Sequence, residues 1–138
     1  MNVLPQHTQT QSKEPSKYNL KAPGTTHTTP YIEHWVLQLH GIAPNRIDDA
    51  DLLDDTLNRA VADLGLTRVQ THSHYFGPGV STVVILSESH LSAHTWPEMG
   101  YMHMDIVTCV PKLNESILHA VLETAFRPEK MEVARLEY

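Results

Sequence analysis

The chain has 138 residues, of which 41% are hydrophobic and 19% charged, so it is long enough for one small domain with a single core. Its formal net charge is −6, and it has neither a run of about 18 apolar residues nor a basic-then-apolar leader. We therefore expect a cytoplasmic, soluble protein that binds neither nucleic acid nor membrane. The single cysteine, Cys109, excludes a disulfide within the chain and is either an inert buried thiol or a reactive one.

The first 30 residues differ in composition from the rest of the chain. They are rich in Thr, Gln, Lys and His, contain few apolar residues and include four prolines. Such a segment buries too little apolar surface to offset the entropy lost on ordering. We expect residues 1–30 to form a disordered tail and residues 31–138 to form the domain.

The N-terminal half of the domain is predicted to contain a strand, a helix and a hairpin. Apolar residues at positions 35, 37 and 39 alternate with more polar ones and favour a strand that ends at Gly41. An acidic stretch at positions 48–51 precedes apolar residues at helical spacing, which predicts a helix capped by Gly65. Two further strands, Val69–Phe76 and Val80–Leu86, are predicted on either side of the turn Gly77-Pro78-Gly79.

The C-terminal half is predicted to add a strand at Tyr101–Cys109, a helix between Asn114 and Pro128, and a last strand at Met131–Leu136. The side of the helix expected to be apolar carries Ile117, Ala120, Val121 and Thr124. Two helices cannot cover both faces of this sheet. We therefore expect an α+β fold, a two-layer sandwich with a mainly antiparallel sheet and both helices on one face. The other sheet face, expected to carry residues such as Trp35, is left for a symmetric dimer.

Hydroxyl and titratable side chains concentrate between residues 87 and 98, directly after the apolar run Val83–Leu86. Taken alone, these residues leave structural explanations open. Serine and histidine at a strand end satisfy backbone groups, and Trp96 before Pro97 packs in a core as readily as it lines a pocket. A metal site is a further alternative, because histidine pairs recur at short spacing: His72, His74, His90 and His94.

A dense motif occupies this region: Glu88-Ser89-His90-Leu91-Ser92-Ala93-His94-Thr95-Trp96-Pro97-Glu98. Gly79-Val80-Ser81 precedes it, and Gly100-Tyr101, Asp105 and Thr108-Cys109 follow it. Together these residues closely resemble the prokaryotic S-adenosylmethionine decarboxylase proenzyme family. The order of elements from about residue 32 to residue 136 is compatible with the same family.

The resemblance implies a self-processing enzyme. In this family the peptide bond before a serine breaks by self-catalysis, and here that bond is Glu88-Ser89. Cleavage would give a β subunit, residues 1–88, and an α subunit, residues 89–138, with Ser89 converted to a covalent pyruvoyl group. That group replaces pyridoxal phosphate by forming a Schiff base with the substrate amine, so neither an added cofactor nor a metal is expected. The implied function is decarboxylation of S-adenosylmethionine in polyamine biosynthesis.

The resemblance also implies roles for individual residues. His94 and Ser81 match the residues credited with processing, and Cys109 matches the donor that reprotonates the product carbon. Residues that match the substrate pocket are Phe76, which would stack on adenine, Glu98, which would hold ribose hydroxyls or a substrate cation, and Trp96. Members of the family often build each active site from two protomers, so we expect a homodimer of processed α/β pairs.

Departures from the family pattern lie around the expected substrate pocket. They are the short turn Gly77-Pro78-Gly79, Thr82 in place of glycine, Met99 in place of an aromatic residue, Met102-His103 in place of small residues, and Gln38 in place of an acid. Because some members of the family act on ornithine or arginine, two alternatives stay open. One is the same pyruvoyl chemistry on a basic amino acid, and the other is a binding or regulatory homologue that does not cleave itself.

Overall fold

A computed structural model describes residues 29–87 and 89–136. The predicted disordered tail therefore lies outside the described residues up to position 28, and so do Glu88 and the last two residues. The described elements are β1 Glu33–His40, α1 Pro44–Ile47, α2 Ala50–Asp63, β2 Arg68–Tyr75, β3 Val80–Leu86, β4 His90–Trp96, β5 Tyr101–Thr108, α3 Glu115–Phe126 and β6 Lys130–Leu136. A 3₁₀ turn, Pro97–Met99, joins β4 to β5.

The six strands form one antiparallel sheet in the order β2-β3-β4-β5-β1-β6. Helices α2 and α3 pack against each other, and α2 also packs on β2 and β3. The expected α+β class with an antiparallel sheet and both long helices on one face is confirmed. No helix in residues 29–87 and 89–136 is long and apolar enough to span a membrane.

The single core lies between the helices and one face of the sheet. Helix α2 begins at its cap Asp49, whose side chain accepts a hydrogen bond from the backbone N–H of Leu52, and it is followed by Gly65 with a φ of +72°. In α3 the fully buried stripe is Leu118, Leu122 and Phe126. The predicted stripe was wrong, since Ala120 and Thr124 are exposed and Ile117 and Val121 are only partly buried.

Trp35 was expected on the uncovered face of the sheet, and this expectation was wrong. Its side chain is 2% exposed and belongs to the core together with Leu37 and Leu39, which point in the same direction along β1. Alternation shows which residues of a strand share a face, but it does not show which face the helices cover.

Strand β4 was not predicted, because hydroxyl and titratable side chains dominate residues 87–98 and hide the alternation of a strand. In the structure Leu91, Ala93 and Thr95 are buried toward the helices, while the residues between them point to the opposite side. This is the two-residue period of a strand with one polar face. The polar residues of β4 therefore lie on a surface of the sheet and not in a loop.

We call the sheet face opposite α2 and α3 the open face. Strand register places on it alternate residues from each strand, among them Ser81, Val83 and Ile85 of β3, His90, Ser92, His94 and Trp96 of β4, and Tyr101, His103 and Asp105 of β5. Val83 and Ile85 are 39% and 47% exposed, which shows that this part of the face is accessible in a single chain.

Candidate active site

Ser89 lies in the turn between β3 and β4, at one end of the sheet. The backbone N–H of Leu86 donates to the carbonyl oxygen of Ser89 at 2.9 Å, and the N–H of Ser87 donates to Thr67 at 3.0 Å. These bonds tie the turn to β3 and to the start of β2. Glu88, the other side of the predicted cleavage site, lies outside the described residues.

Cys109 follows the last residue of β5 and lies beside Ser89. The Sγ atom of Cys109 is 3.9 Å from the Oγ atom of Ser89, and both residues are partly exposed. A cavity of about 130 Å³ adjoins Ser89 and is bordered also by residues 65–67, residues 86–87, Thr108 and Val110. The two residues predicted to carry the pyruvoyl group and the proton donor thus come together, and we call them the Ser89–Cys109 pair.

Ser81 and His94 form a second pair on the open face. They are cross-strand neighbours on β3 and β4, and the hydroxyl oxygen of Ser81 is 2.7 Å from Nδ1 of His94. The ring of Trp96 lies 6.5 Å from the ring of His94 and 5.5 Å from that of Tyr101, so Trp96 also lies on the open face. We call Ser81 and His94 the Ser81–His94 pair.

The remaining predicted substrate residues lie at the same end of the sheet as the Ser81–His94 pair. Phe76 begins the β2–β3 turn, donates its N–H to the Gly79 carbonyl at 3.0 Å and is 43% exposed. A Cβ atom on Gly79 would come within 2.5 Å of the carbonyl oxygen of Thr95 and 2.6 Å of the Phe76 ring, so only glycine allows this close approach. Glu98 lies in the 3₁₀ turn after β4 and is exposed.

The two pairs are separated along the sheet. Ser89 and His94 are five residues apart on one extended segment, and at about 3.3 Å per residue their Cα atoms lie roughly 16 Å apart. A side chain cannot bridge that distance. Within one chain the structure therefore brings Ser89 to Cys109 and Ser81 to His94, but it does not bring the two pairs to each other.

A polar network that the sequence did not predict lies between the two pairs. Asp105 accepts a hydrogen bond from the hydroxyl of Ser92 through one carboxylate oxygen, and its other oxygen is 3.3 Å from Nε2 of His34. Asp105 stood in the family motif without a role, and the polar side of the β4 alternation was the signal for Ser92. The centre of the open face is thus polar and hydrogen-bonded.

His103 lies across the strand pair from His94, on the same face. Burial disfavours its charged form and lowers its pKa below the ordinary 6.5, while Asp105 acts to raise the pKa and His94 to lower it. Burial is thus the main cause of the lowered pKa of His103, and the effects of Asp105 and His94 oppose each other.

The open face continues over β1 and β6 with a buried polar cluster. Tyr101 donates its hydroxyl to Oε1 of Gln38 at 2.6 Å, and Lys130 Nζ lies 2.6 Å from Oε1 of the fully buried Glu132. Burial raises the pKa of Tyr101, and the charge of Glu132 raises it further. At the position where an acid is common in the family, Gln38 thus accepts a hydrogen bond through Oε1, while its buried Nε2 has no hydrogen-bond partner among the described residues.

The departures from the family pattern fall on different faces. Thr82 and Met102 are fully buried on the helix side, where Thr82 Oγ1 lies 2.6 Å from the hydroxyl of Ser73. These two residues do not line the open face. Met99 is 55% exposed, and only His103 and Gln38 belong to the open face.

The four histidines considered as ligands of a metal site do not come together in the structure. His72 and His74 lie on β2, whereas His90 and His94 lie on β4, with β3 between the two strands. Among residues 29–87 and 89–136, no three histidine, cysteine or acidic side chains are placed to hold a metal ion.

Fold and site together define a class of protein: an α+β sheet protein with a serine at a strand turn, a thiol beside it and a serine–histidine pair on two neighbouring strands. Comparison with known proteins identifies the family. The family model described as S-adenosylmethionine decarboxylase matches residues 33–137. The chain belongs to the S-adenosylmethionine decarboxylase family.

Individual relatives agree with this assignment. The chain is 39% identical over 102 residues to a protein of Methanococcus maripaludis named S-adenosylmethionine decarboxylase proenzyme, an alignment that covers 73% of this chain and 84% of that protein. A protein of Thermomicrobium roseum with the same name is 38% identical over 105 residues and is covered to 89%, against 75% of this chain. The crystal structure of the adenosylmethionine decarboxylase from Aquifex aeolicus superposes with a TM-score of 0.71 at 28% identity, covering 80% of this chain and 92% of that one.

Proposed function

We propose that the chain is a self-cleaving, pyruvoyl-dependent S-adenosylmethionine decarboxylase of polyamine biosynthesis. The observation that carries the proposal is the 3.9 Å approach of the Ser89 hydroxyl and the Cys109 thiol at an accessible turn. Family membership supports a carboxy-lyase, and the relatives from Methanococcus maripaludis and Thermomicrobium roseum bear the name of the S-adenosylmethionine enzyme. The comparisons do not favour ornithine, arginine or a non-cleaving homologue.

Processing starts from the hydroxyl of Ser89. Its oxygen attacks the carbonyl carbon of Glu88, and the bond from that carbon to the Ser89 nitrogen breaks as an ester forms. Elimination across Cα and Cβ of Ser89 then releases residues 1–88 with a free carboxylate, and water replaces the nitrogen, which leaves as ammonia. The new end of residues 89–138 is the pyruvoyl group.

The residues around Ser89 fit the pyruvoyl group. It would occupy the position of Ser89 itself, with the thiol of Cys109 and the 130 Å³ cavity next to it. When formed, this group binds the substrate amine and draws electrons from the bond to the departing carboxylate. Cys109 supplies a proton to the substrate carbon after carbon dioxide has left, and its adjacency to Ser89 supports that role.

We further infer that two copies pair through their open faces as a homodimer. A single chain separates the Ser81–His94 pair from the Ser89–Cys109 pair, and the cavity beside Ser89 is below the ~300 Å³ of typical ligand pockets. A two-fold axis lying between the sheets and perpendicular to the strands reverses the strand direction. It thereby sets Ser81 and His94 of the partner subunit opposite Ser89 and Cys109, across the ~10 Å that separates packed sheets.

In this arrangement each active site takes groups from both copies. One copy supplies the pyruvoyl precursor Ser89 and the donor Cys109. The other supplies Ser81 and His94 for processing and Phe76, Trp96 and Glu98 for the substrate. Exposed Val83 and Ile85 become buried between the sheets, which favours association.

Three further parts of the proposal rest on the sequence and on the family. The domain is taken as residues 31–138 and the tail as residues 1–30. A cytoplasmic location is proposed because the family is biosynthetic. The pyruvoyl group is proposed as the sole cofactor, with no metal in the reaction.

The experiment that tests the function compares three proteins: the native chain, Ser89→Ala and the matched control Ser87→Ala. Denaturing mass spectrometry should show the native chain and Ser87→Ala cleaved before residue 89, and Ser89→Ala intact at 15.6 kDa. The cleaved proteins should release carbon dioxide from S-adenosylmethionine and not from ornithine or arginine. A native chain that stays intact after long incubation contradicts self-cleavage, and release from a basic amino acid alone contradicts the substrate.

A further inference from the structure

Glu33, at the start of β1, has an unusual environment for a carboxylate. Its side chain faces the helix layer with a residue exposure of 5% and receives four hydrogen bonds. Oε1 accepts from the Tyr31 hydroxyl at 2.6 Å and from the backbone N–H of Lys112 at 3.0 Å. Oε2 accepts from Trp35 Nε1 at 3.2 Å and from the backbone N–H of Leu113 at 3.1 Å.

Four donors keep this buried carboxylate charged. Burial acts to raise the pKa of Glu33, but the hydrogen bonds from Tyr31, Leu113, Trp35 and Lys112 outweigh it, and the pKa lies below its usual range. An ionised acceptor makes stronger hydrogen bonds than a neutral one. Glu33 therefore holds its donors firmly at neutral pH.

Two of these donors belong to the segment that joins β5 to α3, and this segment begins with Cys109. Glu33 is also the cross-strand partner of Thr108, the last residue of β5. At the near end of the segment the N–H of Val110 donates to Oγ1 of Thr108 at 3.1 Å. At the far end the Glu33 carboxylate fixes residues 112 and 113. Cys109 thus lies in a short segment held at both ends.

The conformation of the segment shows that it needs such a restraint. Lys112 has a φ of +59°, in the left-handed region that residues with a side chain seldom adopt. Leu113 is buried in the core, and its backbone N–H pairs with the Glu33 carboxylate. Losing the carboxylate removes the acceptor of the buried Leu113 N–H at the point where the chain turns from β5 into α3.

We propose that Glu33 is a positioning residue that sets the place of the Cys109 thiol relative to Ser89. It touches neither side chain and acts through the backbone of residues 109–113. The inference rests on the proposed role of Cys109 as proton donor, and it adds to that role a residue on a different strand, 76 positions earlier in the sequence. A misplaced donor slows proton delivery but leaves the groups that bind the substrate where they are.

The test compares Glu33→Gln with Tyr31→Phe. Glutamine has nearly the same shape but turns an NH₂ group toward backbone donors, so the segment loses at least one bond. Tyr31→Phe removes one donor from the same carboxylate and keeps both bonds to the segment. We expect Glu33→Gln to cleave itself and to keep KM within about twofold, while kcat falls by about tenfold or more, and Tyr31→Phe to resemble the native enzyme.

A second readout does not depend on the decarboxylase reaction. In a Ser89→Ala background, which stays uncleaved, iodoacetamide should alkylate Cys109 at least about threefold faster when Glu33→Gln is added, because the segment opens more often. If Glu33→Gln does not fold, Glu33→Asp keeps the charge, is too short to reach both N–H groups, and should give the same two changes.

Two results separate this inference from the proposed function. A lowered melting temperature with unchanged kcat and unchanged alkylation would show that Glu33 supports the fold only, and the inference fails. A native chain that neither cleaves nor decarboxylates overturns the proposed function. In that case the alkylation rates still decide whether Glu33 controls Cys109.

Discussion

Mixing two inactive variants gives a quantitative test of a shared active site. One chain carries Ser89→Ala and the other His94→Ala, and both are co-expressed with different tags. If Ser89 and His94 of a single site come from different copies, as proposed, each mixed dimer has one site with both defects and one site with none. With random pairing half of the dimers are mixed, so about one quarter of all sites are intact.

The assay is denaturing mass spectrometry of dimers captured through both tags in sequence. In these dimers the His94→Ala chain should be cleaved, since it keeps its own Ser89 and meets His94 of the partner subunit. The Ser89→Ala chain should stay whole. Decarboxylation should be about half of that of the native dimer, provided that the two sites act independently. Each variant expressed alone should stay uncleaved.

Two results would refute the shared active site. If doubly captured dimers contain only whole chains, Ser89 and His94 must act within one chain, and the roughly 16 Å between them would have to close by a rearrangement. A chain that remains monomeric during the assay would refute the shared site as well. The separation of the two pairs is therefore tested directly, with no assumption about the substrate.

Three other predictions follow from single residues. Cys109→Ala should permit cleavage but lower decarboxylation by about 10² or more, and normal turnover would remove the proposed donor. Leu122→Ala should lower the free energy of unfolding in urea by about 2–5 kcal/mol, whereas His119→Ala on the exposed side of α3 should change it by no more than about 0.5 kcal/mol. The pKa of His103 is lowered by burial, so the free energy of unfolding should fall as the pH drops from 6.5 through the folded-state pKa of His103. His103→Asn should weaken this pH dependence of stability. Equal pH dependence in the two proteins would contradict the lowered pKa of His103.

Much of the fold could be predicted because the signals were local. The helix that ends at Gly65, the hairpin around Gly77-Pro78-Gly79 and the strand that begins at Tyr101 each carry their own periodicity and end signals. Strand β4 was missed although its alternation is regular, because its outward residues are polar and its inward residues include Ala93 and Thr95. A strand whose outward residues are polar is mistaken for a loop when its composition is given more weight than its two-residue alternation.

The site could be predicted only in part. The motif named Ser81, Ser89, His94 and Cys109, but their division into two pairs depends on strand register, which the sequence does not state. Glu33 gave no signal at all, since two of its donors are backbone N–H groups 79 and 80 residues away. Residues that act through distant backbone groups leave no pattern of side chains to find.

The strand order has a consequence for the cleavage that we propose before Ser89. Residues 1–88 contribute β1, β2 and β3, and residues 89–138 contribute β4, β5 and β6. In the order β2-β3-β4-β5-β1-β6, strand β1 is threaded between β5 and β6, so three of the five strand pairings join one fragment to the other. The strands of the two fragments therefore interleave within one sheet. Cleavage in the β3–β4 turn would create a new chain end at Ser89. The strand pairings that hold this end in place would remain intact.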